Sequence, residues 1–151
     1  MWAMGDAGGR GGRVLALDLG ERRIGLALSD PEGKLPVRHW VYQRRSLAAD
    51  LEYLREVVAQ EEVKEVVLGL PRNMDGSLGP QAEATLEFKR ALEEALGMEV
   101  LLCDEELTTA EAERVLLEAD LSRRKRKRVR DALAATLILQ RHLARRSRSR
   151  R

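Results

Sequence analysis

An α/β fold with a five-stranded mixed sheet flanked by helices follows from three features of the sequence. Three short apolar runs come first, separated only by turn residues, which reads as an antiparallel opening meander. Strand and helix patterns then alternate, which implies parallel strands joined by crossover helices. No internal repeat interrupts this order, and 151 residues suffice for one domain with a full core.

Residues 1–12 hold five glycines without apolar periodicity and read as a disordered N-terminal extension. Val14–Leu19 reads as a buried strand, Gly20 to Arg23 as a turn, and Ile24–Ser29 as the hairpin partner. Asp30-Pro31-Glu32-Gly33 is a second turn, and Leu35–Tyr42 a third strand with His39 on its surface. Ser46 can cap a helix running to about Gln60, with Leu47, Leu51, Leu54 and Val58 on one face. Glu65–Leu70 reads as the fourth strand, and Pro71 to Gly79 as a loop of turn residues. Pro80 suits the first turn of a helix that stops at Gly97, with Phe88, Leu92, Ala95 and Leu96 inward. Val100–Cys103 is the fifth strand. Thr108-Thr109-Ala110-Glu111 matches a capping box and predicts a helix with Ala112, Val115, Leu116 and Ala119 inward. A last helix is expected to start near Arg130, apolar on nearly every side from Ala132 to Leu139 and therefore buried.

The net charge of +2 conceals a strong asymmetry. Residues 1–121 carry 14 Lys and Arg against 24 Asp and Glu, whereas residues 122–151 carry 13 against one. Such a split points to a basic surface for phosphates. Aromatic residues make up 3% of the chain, so base stacking on an aromatic platform is not the expected mode of recognition. Cys103 is the only cysteine, which excludes an intrachain disulfide and a cysteine-based zinc site. No stretch resembles a signal peptide, and none approaches the roughly 20 apolar residues that span a bilayer, so a cytoplasmic protein with no membrane partner is expected.

Three carboxylates carry the candidate chemistry. Asp18 closes the first strand, Glu105 follows the fifth, and Asp131 opens the last helix directly after a run of seven cations. In open α/β sheets, sites lie beyond the carboxyl ends of the strands. Oxygen ligands drawn from distant segments suit a pair of Mg²⁺ or Mn²⁺ ions, and hydrolysis of a phosphodiester is the reaction such a pair serves.

The motifs around these acids resemble those of the YqgF (RuvX) family. Val14-Leu15-Ala16-Leu17-Asp18-Leu19-Gly20, continuing through Arg23-Ile24-Gly25-Leu26-Ala27-Leu28-Ser29-Asp30, is similar to its opening motif. Leu68-Gly69-Leu70-Pro71-Arg72-Asn73-Met74-Asp75-Gly76 with Gly79-Pro80, and Asp104-Glu105-Glu106-Leu107-Thr108-Thr109-Ala110-Glu111-Ala112, agree as well. So does the segment from Ala119 to Arg123, with Lys125-Arg126-Lys127, Asp131-Ala132-Leu133-Ala134-Ala135 and Ile138-Leu139-Gln140. Together they cover about residues 13–143. Family members are described as Holliday junction resolvases and as pre-16S rRNA nucleases with an RNase H-like fold. The resemblance implies that Asp18, Glu105 and Asp131 are the acidic, metal-binding triad. It makes Arg123, Lys125, Arg126 and Lys127 substrate-phosphate contacts or a flexible lip over the site. Asp75-Gly76 reads as a turn requirement rather than a catalytic pair. One position departs from the pattern: Glu106 stands where the family usually has Arg, an anion replacing a cation beside the expected metals.

The expected organisation is therefore a nuclease domain over residues 13–144 followed by a basic tail, 145–151. The expected activity is metal-dependent cleavage of pre-16S rRNA, with nucleic acid and ribosomal precursor particles as partners and a monomer or homodimer as the working unit. Two rivals share the basic segment: the same chemistry on branched DNA, which calls for a dimer, and a nucleic-acid-binding factor without catalysis. The opening hairpin also resembles the phosphate-binding hairpin of actin-like ATPases and sugar kinases. Those need two such domains, for which 151 residues are too few, and no Walker motif is present.

Overall fold

The computed structural model describes residues 11–72, 75–104 and 123–149; in the last segment, side chains are described from 133 to 148. Five strands and three helices are found among them: β1 (Arg13–Leu19), β2 (Arg23–Ser29), β3 (Pro36–Gln43), α1 (Leu47–Gln60), β4 (Val63–Leu70), α2 (Pro80–Leu96), β5 (Val100–Asp104) and α3 (Arg123–Ser149). The helix expected around Thr108 to Ala119 lies outside the described residues.

The strands form one sheet in the order β3-β2-β1-β4-β5. β1, β2 and β3 pair antiparallel, while β1 with β4 and β4 with β5 pair parallel. The mixed sheet thus has the composition expected: tight turns can only return the chain antiparallel, and the helical crossovers bring it back parallel.

Alternation along the strands divides the core in two. Leu15 and Leu17 of β1, Leu26 of β2 and Leu68 of β4 face α1 and α2, where they meet Leu54, Val57, Phe88 and Leu92. Val14 and Ala16 of β1, Ala27 of β2, Val67 of β4 and Cys103 of β5 face α3, where they meet Ala135, Ile138, Leu139 and Leu143. The buried sheet residues facing α3 are Val, Ala and Cys, smaller than the leucines of the other face.

Several boundaries depart from expectation, each for a physical reason. The inward stripe of α1 is Asp50, Leu54 and Val57, whereas Leu47 is half exposed. Asp50 takes that inward place because it meets buried hydrogen-bond donors, a partnership that hydrophobic periodicity does not register. β4 begins two residues early, at Val63, whose side chain is buried beneath it. The largest difference concerns α3, which begins at Arg123 rather than near Arg130 and runs on to Ser149. Lys and Arg are good helix formers, and no Gly or Pro interrupts residues 123–149, so the cationic run and the first residues of the supposed tail are helix. Among the described residues no helix is long and apolar enough to cross a membrane.

Candidate active site at the carboxyl ends of the strands

Asp18 is half-buried on the central strand. Val14, Ala16 and Asp18 share one face by alternation, so Asp18 belongs to the face covered by α3. Its antiparallel partner on β2 is Gly25. On the other side Leu17 pairs with Leu68, so the next residue of β4 is Gly69. Both strand neighbours of the carboxylate therefore lack side chains, and Gly69 pairs in turn with Cys103 of β5.

β5 ends on Asp104, which is fastened from two directions. Arg72 donates from Nε to its carboxylate at 2.8 Å and from Nη1 to the Gly76 carbonyl at 3.1 Å. Arg141 of α3 donates to the Asp104 carbonyl at 2.7 Å. The loop after β4 is thus tied to the end of β5. Within it Asp75 accepts from the Ser77 hydroxyl at 2.6 Å and from its backbone N–H at 2.9 Å, contacts that hold the carboxyl below its ordinary range. Gly76 has φ of +86°, so the Asp75-Gly76 pair does turn work, as expected.

Helix α3 runs against β1. Its His142 ring lies 2.7 Å from Glu65, near the start of β4, and Arg146 Nη1 lies 3.8 Å from the same carboxylate. The same turns also reach the carboxyl end of β5 through Arg141 and Arg145, and Thr136 lies beside Pro36 to His39 of β3, so the helix crosses the strands. Asp131 stands about two turns into the helix rather than at its opening, four residues before the sheet-packed Ala135. Arg123, Lys125, Arg126 and Lys127 occupy the two turns before it, a helical segment rather than a loop-like lip. Glu105, one residue beyond Asp104, and Glu106 lie outside the described residues, as does the Asp131 side chain. Among the described residues no three His, Cys, Asp or Glu side chains are grouped to hold an ion.

Residues 12–145 match the RuvX family, described as "Holliday junction resolvase". The chain belongs to the RuvX family. The relatives it resembles include a 53% identical protein of Syntrophomonas wolfei, aligned over 87% of this chain and 93% of that protein. Another, from Moorella thermoacetica, is 55% identical over 88% of this chain and 95% of its own length. Both carry the name "Putative pre-16S rRNA nuclease", so both descriptions are of phosphodiester-hydrolysing enzymes. In structure, this RuvX chain is similar to T. thermophilus RuvC in complex with a Holliday junction substrate. The TM-score is 0.55 at 16% identity, covering 88% of this chain and 96% of RuvC. That likeness establishes a shared RNase H-like fold.

Two features of this RuvX site escaped the sequence reading. The Arg72–Asp104 pair spans 32 positions, and nothing local marks either residue as the other's partner. The second is a network at the β3–α1 junction. Asp50, 1% exposed, accepts from Tyr42 at 2.9 Å, from Arg44 Nε at 2.9 Å and from the Arg45 backbone N–H at 3.0 Å. Arg44 also donates to the Gly20 carbonyl at 3.0 Å, which holds the turn that follows Asp18 and Leu19. An acid four residues past a helix cap was the available signal.

Proposed function

We propose that this RuvX protein is a Mg²⁺- or Mn²⁺-dependent endonuclease that matures the 5′ end of 16S rRNA precursor, with Asp18, Glu105 and Asp131 as its acidic triad. The observation that carries the reading is Asp18: a half-buried carboxylate at the carboxyl end of the central strand, flanked by Gly25 and Gly69, on the face covered by the helix that bears Asp131. The triad supplies only carboxylate oxygens, the donor set that hard divalent cations take. Divalent ions held there supply Lewis-acid stabilisation of a phosphoryl oxygen and acidify water. Asp18 anchors the site from the rigid sheet, and the cationic turns of α3, with Arg123, Lys125, Arg126 and Lys127, hold substrate phosphates. The names of the relatives support pre-16S rRNA as substrate. The protein would then act in the cytoplasm on ribosomal precursor particles, as a monomer or a homodimer.

The family description favours a second reading, in which the same site resolves branched DNA. Two strands cut symmetrically require two copies of the site, so this reading predicts a homodimer. Both readings are tested by one assay with Mg²⁺ or Mn²⁺, comparing wild type with Asp18→Asn on a 16S leader–body RNA and on a four-way DNA junction. Cleavage of the RNA alone, lost in Asp18→Asn, is the expected result. Cleavage of the junction alone would transfer the function to DNA, and tight binding without cleavage of either would leave a binding factor. Glu106→Arg belongs in the same assay. Faster cleavage is expected if the anion at this position weakens phosphate binding, and an unchanged rate would remove it from consideration.

A further inference from the structure

Beyond the acidic triad, the carboxyl end of β1 opens into a basic cleft of about 390 Å³. It is lined by the β1–β2 turn (Glu21, Arg22) and the β3–α1 junction (Arg44, Arg45, Ser46). A hollow of about 190 Å³ shares Glu21 and Arg44 with it, extends it along Leu19 and Gly20, and reaches the first turn of α2 at Pro80 and Gln81. This groove begins one residue past Asp18, and at most about 7 Å of chain separates Asp18 from Gly20.

The backbones that carry the arginines are held firmly. The Arg44 N–H donates to the Arg22 carbonyl at 2.8 Å, and the Arg45 N–H donates to Asp50. Arg44 spends its guanidinium on Asp50 and Gly20. Asp50 is buried and its charge is offset by the Arg44 guanidinium paired with it, so the two together add little net charge to the cleft. What the cleft presents to solvent is Arg22 and Arg45, both exposed and in no ion pair among the described residues, against Glu21. Two guanidinium forks on rigid backbone, in an open cleft just past Asp18 in the chain and on the α1/α2 side of the sheet, suit the successive phosphates of an extended strand.

We propose that this cleft holds the sugar–phosphate backbone of the single-stranded substrate segment next to the scissile bond, with Arg22 and Arg45 as its phosphate contacts. The proposal rests on the nuclease reading for the position of the scissile bond, but its test does not depend on cleavage. Binding of a fluorescein-labelled single-stranded RNA from the 16S leader is measured by anisotropy from 50 to 200 mM KCl. Wild type is compared with the double variants Arg22→Ala/Arg45→Ala and Lys34→Ala/Lys64→Ala. The second pair removes the same charge at the opposite end of the sheet, where Lys64 packs by Gly12.

The expected result is that the slope of log K against log salt falls by about 1.4 in the arginine variant, about 0.7 for each lost contact, and stays unchanged in the lysine variant. An unchanged slope in the arginine variant overturns the proposal. An equal fall in both variants also overturns it, because net charge would then explain the loss. Melting temperatures near wild type show that both variants are folded. If wild type binds with the expected slopes yet cleaves nothing, the nuclease reading fails while the cleft stands. If wild type cleaves and the arginine variant keeps its slope, the cleft fails alone.

Discussion

At the scale of single residues, Asp50 shows how the local chemistry is balanced. Burial pushes its carboxyl up. The Arg45 N–H, the Arg44 guanidinium and the Tyr42 hydroxyl outweigh that and leave it below the ordinary Asp value. A carboxyl lowered in the folded state stabilises the fold above its unfolded value, near pH 4, and that contribution is lost as pH falls through the folded value. The unfolding midpoint of wild type should therefore fall more steeply below about pH 4 than that of Asp50→Asn, as thermal melts across pH would show. Asp50→Ala strands three donors and should cost about 3 kcal/mol by urea denaturation. Two glycines make a sharper comparison. Gly97 closes α2 with φ of +69° and open space where a Cβ would stand, so Gly97→Ala should cost only the left-handed penalty, about 1 kcal/mol. Gly33 has φ of +72°, and a Cβ there would meet the Gly12 carbonyl oxygen at 2.7 Å. Gly33→Ala should cost clearly more than Gly97→Ala in the same melts.

At the scale of elements, α3 is the part that completes the domain. It covers a whole face of the sheet and carries both Asp131 and the cationic turns. Ile138, fully buried against small residues of the sheet, anchors it. Ile138→Ala should destabilise the protein by about 2–5 kcal/mol in denaturant unfolding. The Arg72–Asp104 pair works differently. Both side chains are substantially exposed, at 33% and 53%, so Arg72→Ala should change stability by less than about 1 kcal/mol. It should nevertheless lower cleavage, because the pair ties the loop after β4 to the residue that precedes Glu105. A variant with wild-type melting and unchanged turnover would show that the tie has no functional role.

At the scale of the whole molecule, the division of charge sets the behaviour toward polyanions. RNA affinity should fall steeply between 50 and 200 mM salt, and Asp18→Asn should show the same salt dependence as wild type. Much of this architecture was legible in the sequence. Val14–Leu19 and Ile24–Ser29 are recognisable because strand propensity and turn residues are local properties. The strand pairing could be anticipated because short connections limit the topologies. Asp18 is expected as a site residue from its place at a strand end within a family motif, and the structure puts it near the carboxyl end of the central strand. The start of α3 was not legible, because hydrophobic periodicity marks a helix only where it has an apolar face and its first turns are cationic.

By itself, the sequence determined where the five strands and the first two helices form, which face of most strands turns inward, and where the acids stand along the chain. All of these depend on intrinsic propensity and on the spacing of apolar residues. Only the tertiary structure decided that Arg72 meets Asp104, that Asp50 is buried under Tyr42 and Arg44, and that two arginines from separate turns line one cleft past Asp18. These contacts join residues distant in sequence, or depend on three groups converging on one buried carboxylate. Their free energy exists only once the sheet has closed and removed water from around them.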